Sequence, residues 1–372
     1  MPARLIESFA TTDALAGVFS DVAVIGAMLR FEIALARAQA RIGMIPQSAA
    51  DAIGRVTDLD PGAMALDARA SATLAIPFVK ALTTAAGTKF VHYGATSQDV
   101  LDTALVLLLR DARVLLAKDH QRLAHRLREL SDRHAGTVTL ARTLLQPAVP
   151  TTFGYKAAGW LGAIVRSWRR LSASFDEALV LQFGGAAGTL AAYGERGVEL
   201  ATVLAGELQL PLPAAPWHAH RDRLASLVAQ CGVYSGSLAK AARDITLLMQ
   251  PEIGEVSEPG GGSSAMQHKR NPAGSVVTLA AAAQVPGLVA SFLAAMPQEQ
   301  ERAAGGWQAE WPVVARVVQA TGSALDSLVD VVEGLTVDAG RMRANLDASV
   351  ERPEHDPGAA EAFRRRILED AE

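Results

Sequence analysis

Cysteine is almost missing from this 372-residue chain. Cys231 stands alone, which excludes an internal disulfide and suits a reducing compartment. It falls on the apolar stripe of a predicted helix, where buried packing accounts for it. Aromatic residues make up 5% of a composition that is 50% hydrophobic, so Ala, Leu and Val must build the interior. That bias favours closely packed helices over a β-sandwich. No block alternates apolar and polar residues for long enough to propose a strand. Net charge is −4 and no long Lys/Arg run occurs, so nucleic acid is not an expected partner.

Signatures of nucleophilic, metal and nucleotide chemistry are missing as well. There is no G-x-S-x-G elbow. Gly184, Gly185 and Gly188 lack the G-x-G-x-x-G spacing and a preceding strand, so they read as a helix break. His218 and His220 have no cysteine or carboxylate cluster at ligand spacing beside them, and no metal or other cofactor is expected. His120, His125 and His134 share no helix face and read as solvated. Glu7 and Asp13 interrupt the first residues, and no apolar run follows a basic one, so a cytoplasmic location is expected. The most apolar stretch, residues 278–296, contains Gln284 and Pro286. It reads as a core helix of a large bundle, not a membrane span.

What is present is helical periodicity. Residues 1–93 read as short helices joined by turns, including one over 22–42 and one over 71–84 broken at Pro77. Residues 95–135 then run without Gly or Pro, with Leu105, Leu108, Ala112, Leu116, Leu123, Leu127 and Leu130 on one face. A helix of that length spans about 55 Å, and Thr96 with Asp99 has capping-box spacing at its start. After a turn over 136–150, further helices are predicted over 151–183, 221–250, 273–295 and 312–335. Residues 351–372 hold 11 charged residues in 22 and read as a solvated tail. The fold class is therefore all-α, a bundle of long helices. Residues 1–93 form a small helical N-terminal domain, 94–336 the central bundle, and 337–372 a residual C-terminal tail.

Three polar stretches lie at the ends of these helices. Residues 92–99, His-Tyr-Gly-Ala-Thr-Ser-Gln-Asp, offer hydroxyl and amide groups at a helix N-terminus, suited either to capping or to an anion. Residues 141–146 contain Arg142, Thr143 and Gln146, a carboxylate clamp or an ordinary surface loop. Residues 257–275 run from three glycines through two serines to Lys269, Arg270 and Asn271, with Pro272 where a helix begins and Asn271 as its cap. A glycine-rich loop leading into a cationic helix start is a receptor for a carboxylate.

The run from Ser263 to Pro272, Ser-Ser-Ala-Met-Gln-His-Lys-Arg-Asn-Pro, resembles the signature loop of the fumarase/aspartase superfamily, GSSxMPxKxNP. Gln267 stands where that family has proline. The resemblance covers residues 70–347, with HYGATSQDVLDT, ARTLLQPAVPTTFGYKAAGW, LQFGGAAGTLAAYGERG and ARDITLLMQPEIGEV, and is greatest for the lactone-forming cycloisomerase branch. It implies a truncated C-terminal domain, no cofactor, a small polycarboxylate substrate, and a homotetramer whose sites are shared between chains. It also implies Ser263 as the proton-transferring group and Lys269 as its cationic partner. Substrate contacts would come from His92, Thr96, Ser97, Gln98, Arg142, Thr143, Gln146, Ser264, Met266, Arg270 and Asn271. Most lyases of the superfamily carry a histidine acid where this chain has Leu144. A carboxylate nucleophile is already ionised at neutral pH and needs no proton removed, so the leucine suits lactonisation better than amine elimination. Fumarate-releasing elimination of the adenylosuccinate lyase type, and a catalytically silent protein on this fold, are the competing readings.

Overall fold

The computed structural model describes residues 5–262, 266, 269–349 and 356–371. Five helices come first: α1 (Asp13–Val18), α2 (Asp21–Arg41), α3 (Gln47–Gly54), α4 (Pro61–Ser71) and α5 (Ala75–Ala86). The break expected at Pro77 falls earlier. Ala72 takes a left-handed φ of 52° and ends α4, whereas Pro77 sits in the first turn of α5, where a missing N–H costs no helical bond.

The long helix α6 (Ser97–Arg133) follows, 37 residues and about 55 Å from end to end. Thr96 and Asp99 form its capping box, Asp99 Oδ2 accepting the Thr96 N–H at 3.0 Å. Leu108, Ala112, Leu116, Leu123, Leu127 and Leu130 are buried along one face. Next come α7 (Phe153–Ala178), α8 (Gly197–Leu208), α9 (Asp222–Leu248), α10 (Ala273–Ala295) and α11 (Gly306–Glu333). Contacts fix their directions. Arg221 at the start of α9 meets both Asp102 near the start of α6 and Glu310 in the first turns of α11, and Arg122 farther along α6 meets Glu333 at the end of α11. These three helices therefore run together. The α7 and α10 helices run back: Ser131, late in α6, donates to the Gly154 carbonyl early in α7, and Ser327, late in α11, donates to the Gly274 carbonyl early in α10.

The structure corrects several sequence expectations. The stretch taken as a turn before α7 is an antiparallel hairpin of β1 (Val138–Thr143) and β2 (Gln146–Thr152). Its two-residue turn, Leu144–Leu145, holds φ values of 51° and 63° without the Asn-Gly that usually marks such a turn. Helix α7 stops at Ala178, not near Phe183. A second two-stranded piece pairs β3 (Val256–Ser257) with β4 (Thr336–Val337). After it come α12 (Ala339–Ser349) and α13 (Ala360–Asp370). The supposed solvated tail is docked at α13: Arg364 pairs with Asp132, and Arg128 donates to the Leu368 carbonyl at 2.7 Å. Nor is His120 solvated. It is buried, stacked on Trp168 at 4.5 Å between ring centres, with Nδ1 3.0 Å from the Tyr234 hydroxyl.

Cys231 is free and buried in α9, and burial pushes its thiol up to about 12. Helix α10 is, among the described residues, the one helix apolar and long enough to cross a membrane. It packs against α9 and α11, yet only 28% of its apolar window is buried by the chain. The expected core helix thus leaves most of its surface, including Val276 and Leu293, uncovered.

Candidate active site

The first polar stretch folds around the start of α6. Gly94 takes φ 73° against the ring of Tyr193, where a Cβ would come within 2.5 Å. His92, also at positive φ, places Nδ1 2.5 Å from Glu32 Oε1 and its N–H 3.0 Å from Glu32 Oε2. Burial works against a charge on His92, but the Glu32 carboxylate overrides it and raises the imidazole pKa. Thr96 Oγ1 accepts a hydrogen bond from Arg302 Nη1 at 2.7 Å, and Arg302 Nη2 donates to the Ala186 carbonyl at 2.9 Å. Ser97 is half-buried at the first position of the helix. Gln98 departs from expectation: it is fully buried, donating to Asp102 Oδ2 and the His218 carbonyl, and so faces the interior.

Beneath this surface lies a buried ionic platform. Arg221 bonds Asp102 on one side and Glu310 on the other, each at 2.7 Å, with all three side chains closed to solvent. Burial opposes charge on the guanidinium, and the two carboxylates overcome it and raise its pKa. Trp307 and Gln182 also donate to Asp102, and Gln298 donates to Glu310 Oε1 at 2.6 Å. The platform locks the starts of α6, α9 and α11 together and anchors the loop that delivers Arg302. Asp99 completes it, accepting from the Gly184 and Gly185 N–H groups at 2.9 Å and lying 2.7 Å from His218 Nε2. The glycines and His218 of the sequence thus serve this carboxylate.

The other two stretches lie at the far end of α6. Arg142 is not a free clamp. Its guanidinium holds the fully buried Glu255 at 3.1 and 2.6 Å, and Glu255 also accepts from Thr139 and Asn345. Thr143 and Gln146 are exposed, flanking the turn in which Leu144 is 96% exposed. In the signature loop, Gly262 bridges Arg270, and the Asn271 N–H donates to the Gly261 carbonyl at 2.6 Å. The two backbone segments approach so closely there that a Cβ on Gly261 would overlap the Asn271 carbonyl at 1.8 Å. Met266, Lys269 and Arg270 are exposed, and Asn271 is half-buried. Ser263, Ser264 and Gln267 lie outside the described residues.

The helix start behind this loop is already filled. Glu258 accepts from the Gly274 N–H at 2.6 Å, the Ser275 N–H at 3.2 Å and the Ser275 hydroxyl at 2.6 Å. Pro272, not Asn271, occupies the cap position of α10. The chain's own carboxylate takes the place expected for the substrate's, leaving Lys269, Arg270 and Asn271 to meet an anion by their side chains.

Within one chain the first stretch is separated from the second by the length of α6, about 55 Å, too far for one small molecule to touch both. A cavity of about 770 Å³ lies between the N-terminal segment, α10 and α11 and is lined by none of the predicted site residues. Sequence reasoning missed Glu32, Arg302, Glu255 and Glu258. None belongs to a local pattern, and each acts on a residue distant in the chain or across a turn.

The profile of the lyase family matches residues 7–287. The chain is 48% identical over 356 residues to 3-carboxy-cis,cis-muconate cycloisomerase of Pseudomonas aeruginosa, covering 92% of this chain and 78% of that one. Nitrosuccinate lyase of Streptomyces davaonensis is 44% identical over 349 residues, covering 88% and 73%. Among solved structures, the 3-carboxy-cis,cis-muconate lactonizing enzyme from Pseudomonas putida superposes with a TM-score of 0.93 at 38% identity. That superposition covers 99% of both chains.

Proposed function

The chain belongs to the lyase family of the fumarase/aspartase superfamily, and we propose that it closes 3-carboxy-cis,cis-muconate to 4-carboxymuconolactone in protocatechuate breakdown, the β-ketoadipate pathway. The observation that carries this reading is the exposed Leu144 at the hairpin tip between Thr143 and Gln146. An elimination that expels an amine needs an acid there. Ring closure does not: a substrate carboxylate oxygen, already ionised, attacks the carbon β to a second carboxylate. The electron pair moves toward that second carboxylate, and Lys269 and Asn271 are suited to stabilise the charge it gathers. A proton then reaches the α carbon from the Ser263 hydroxyl, which regains one from water. The trianionic substrate becomes a dianionic lactone with net uptake of one proton, and no cofactor enters the balance.

The same reading takes the enzyme as a cytoplasmic homotetramer of dihedral symmetry, each site drawing on three chains. Two features support it. The polar ends of α6 are about 55 Å apart in one chain, and the uncovered apolar face of α10 suits burial against further copies of the chain better than a membrane. The division at residues 93 and 336 into three domains belongs to this reading too.

The test is a substrate panel. Loss of diene absorbance with 3-carboxy-cis,cis-muconate, accompanied by proton uptake, is expected. Nitrite release from nitrosuccinate, or fumarate from adenylosuccinate, with no effect on the muconate would select elimination instead. Silence with all three would select a structural role.

A further inference from the structure

A cleft of about 400 Å³ opens between α7, α9 and the base of the β1–β2 hairpin. Tyr155, Lys156, Gly159 and Trp160 supply its α7 wall, and Lys240 and Asp244 its α9 wall. The four α7 residues share one helix face by spacing. A second cavity of about 210 Å³ shares Arg142, Lys156 and Asp244 with it. Among the described residues, every charged group in the cleft has a partner except one. Arg142 is held by Glu255, and Lys240 by Asp244, which also accepts from Trp160 Nε1 at 2.7 Å. Lys156 makes no hydrogen bond or ion pair among the described residues. Burial depresses its amine pKa; Asp244 and Glu255 oppose that, while Lys240 and Arg142 add to it.

The rest of the cleft is mainly apolar, with Thr151 and Ser237 adding hydroxyls, and is shaped by an absence. A Cβ at Gly159 would meet nothing within 4 Å, so the floor is open beside the Trp160 ring. Tyr155 on the other flank is fixed by stacking on Phe363 of α13 at 6.3 Å between ring centres. An ammonium without a partner among the described residues, next to a slot walled by two aromatic rings, matches a flat acid: the ring or diene in the slot and the carboxylate on the ammonium.

We propose that this cleft binds a small conjugated carboxylic acid, its carboxylate on Lys156, as a ligand site separate from the catalytic residues. The site does not depend on the assigned reaction, since neither Lys156 nor Gly159 enters that chemistry.

Titration calorimetry with benzoate on the intact protein tests it, with inorganic phosphate as an anion lacking the flat body. One benzoate per chain is expected, with phosphate weaker. Lys156→Met removes a charge-assisted hydrogen bond and should weaken benzoate about 10- to 100-fold. Gly159→Leu fills the floor at a helical position where a side chain is favoured, so it should fold and still lose benzoate to a similar degree. Turnover of the muconate should stay as in the wild type for both. Benzoate binding unchanged in both variants would overturn the proposal, as would phosphate binding as tightly as benzoate. Displacement of benzoate by the muconate, with both variants unaffected, would place the acid in the catalytic site and overturn it while leaving the reaction assignment standing.

Discussion

The Arg302 guanidinium donates to the Thr96 hydroxyl at 2.7 Å, bringing the loop between α10 and α11 onto the first turn of α6. The same guanidinium holds the Ala186 carbonyl beside the glycines that cradle Asp99. A fixed cation next to Thr96 and Ser97 makes this end of the helix a better carboxylate receptor than the hydroxyls alone.

Arg302→Met should therefore lower kcat/KM about 10- to 100-fold, the effect of losing a charged hydrogen-bond donor. Arg302→Lys should restore part of the loss, because the charge returns without the two-pronged geometry. Steady-state kinetics on both variants, with thermal unfolding to check the fold, decides it. An unchanged kcat/KM in Arg302→Met would remove this residue from the site.

Acid should destabilise the protein through His120. Burial lowers its pKa to about 4, while the unfolded chain titrates at the ordinary value of 6.5. As pH falls from 6.5 to 4 the unfolded state takes up the proton and the folded state does not, so stability is lost on acidification. Over that window the loss approaches about 3 kcal/mol. Urea unfolding of the wild type and His120→Gln at several pH values measures it. The variant should show a shallower acid slope. Parallel slopes would mean that His120 is protonated in the folded protein.

Removing residues 356–372 should destabilise the protein by at least about 2 kcal/mol, since α13 buries Leu368 and covers the α7 surface at Gly162. Arg364→Ala tests the docking more gently, because it leaves Asp132 without its 2.6 Å partner. A truncated chain that unfolds at the same denaturant concentration as the full one would show that the docked helix adds nothing.

The helices were legible wherever glycine, proline and caps punctuate a steady apolar stripe. Helix α10 begins and ends at the residues expected, and α6 starts at the Thr96–Asp99 box. The hairpin was hidden because Pro147 and Pro150 argue against a strand, and β2 tolerates them as an edge strand whose sheet holds only β1 beside it. Helix α13 was hidden because its charges look solvated, whereas Arg364 spends its charge on Glu361 and Asp132. The site was legible as three stretches of residue types but not as an arrangement. The sequence shows Arg142 and the α10 start as open cations. Only the fold brings Glu255 to the one and Glu258 to the other. Such pairings depend on where distant segments meet, which no local spacing records.

On the proposed reading, each active site needs polar stretches from opposite ends of α6, and therefore from different chains. Complementation between two inactive variants measures this directly: Thr96→Val with Ser97→Ala in one chain, Ser263→Ala in the other. Refolded together in equal amounts, sites assembled by chance draw both intact stretches about a quarter of the time. Muconate turnover near that fraction of the wild-type rate is the expected result. Persistent inactivity in mixed oligomers of verified composition would contradict it, because both stretches would then have to come from a single chain.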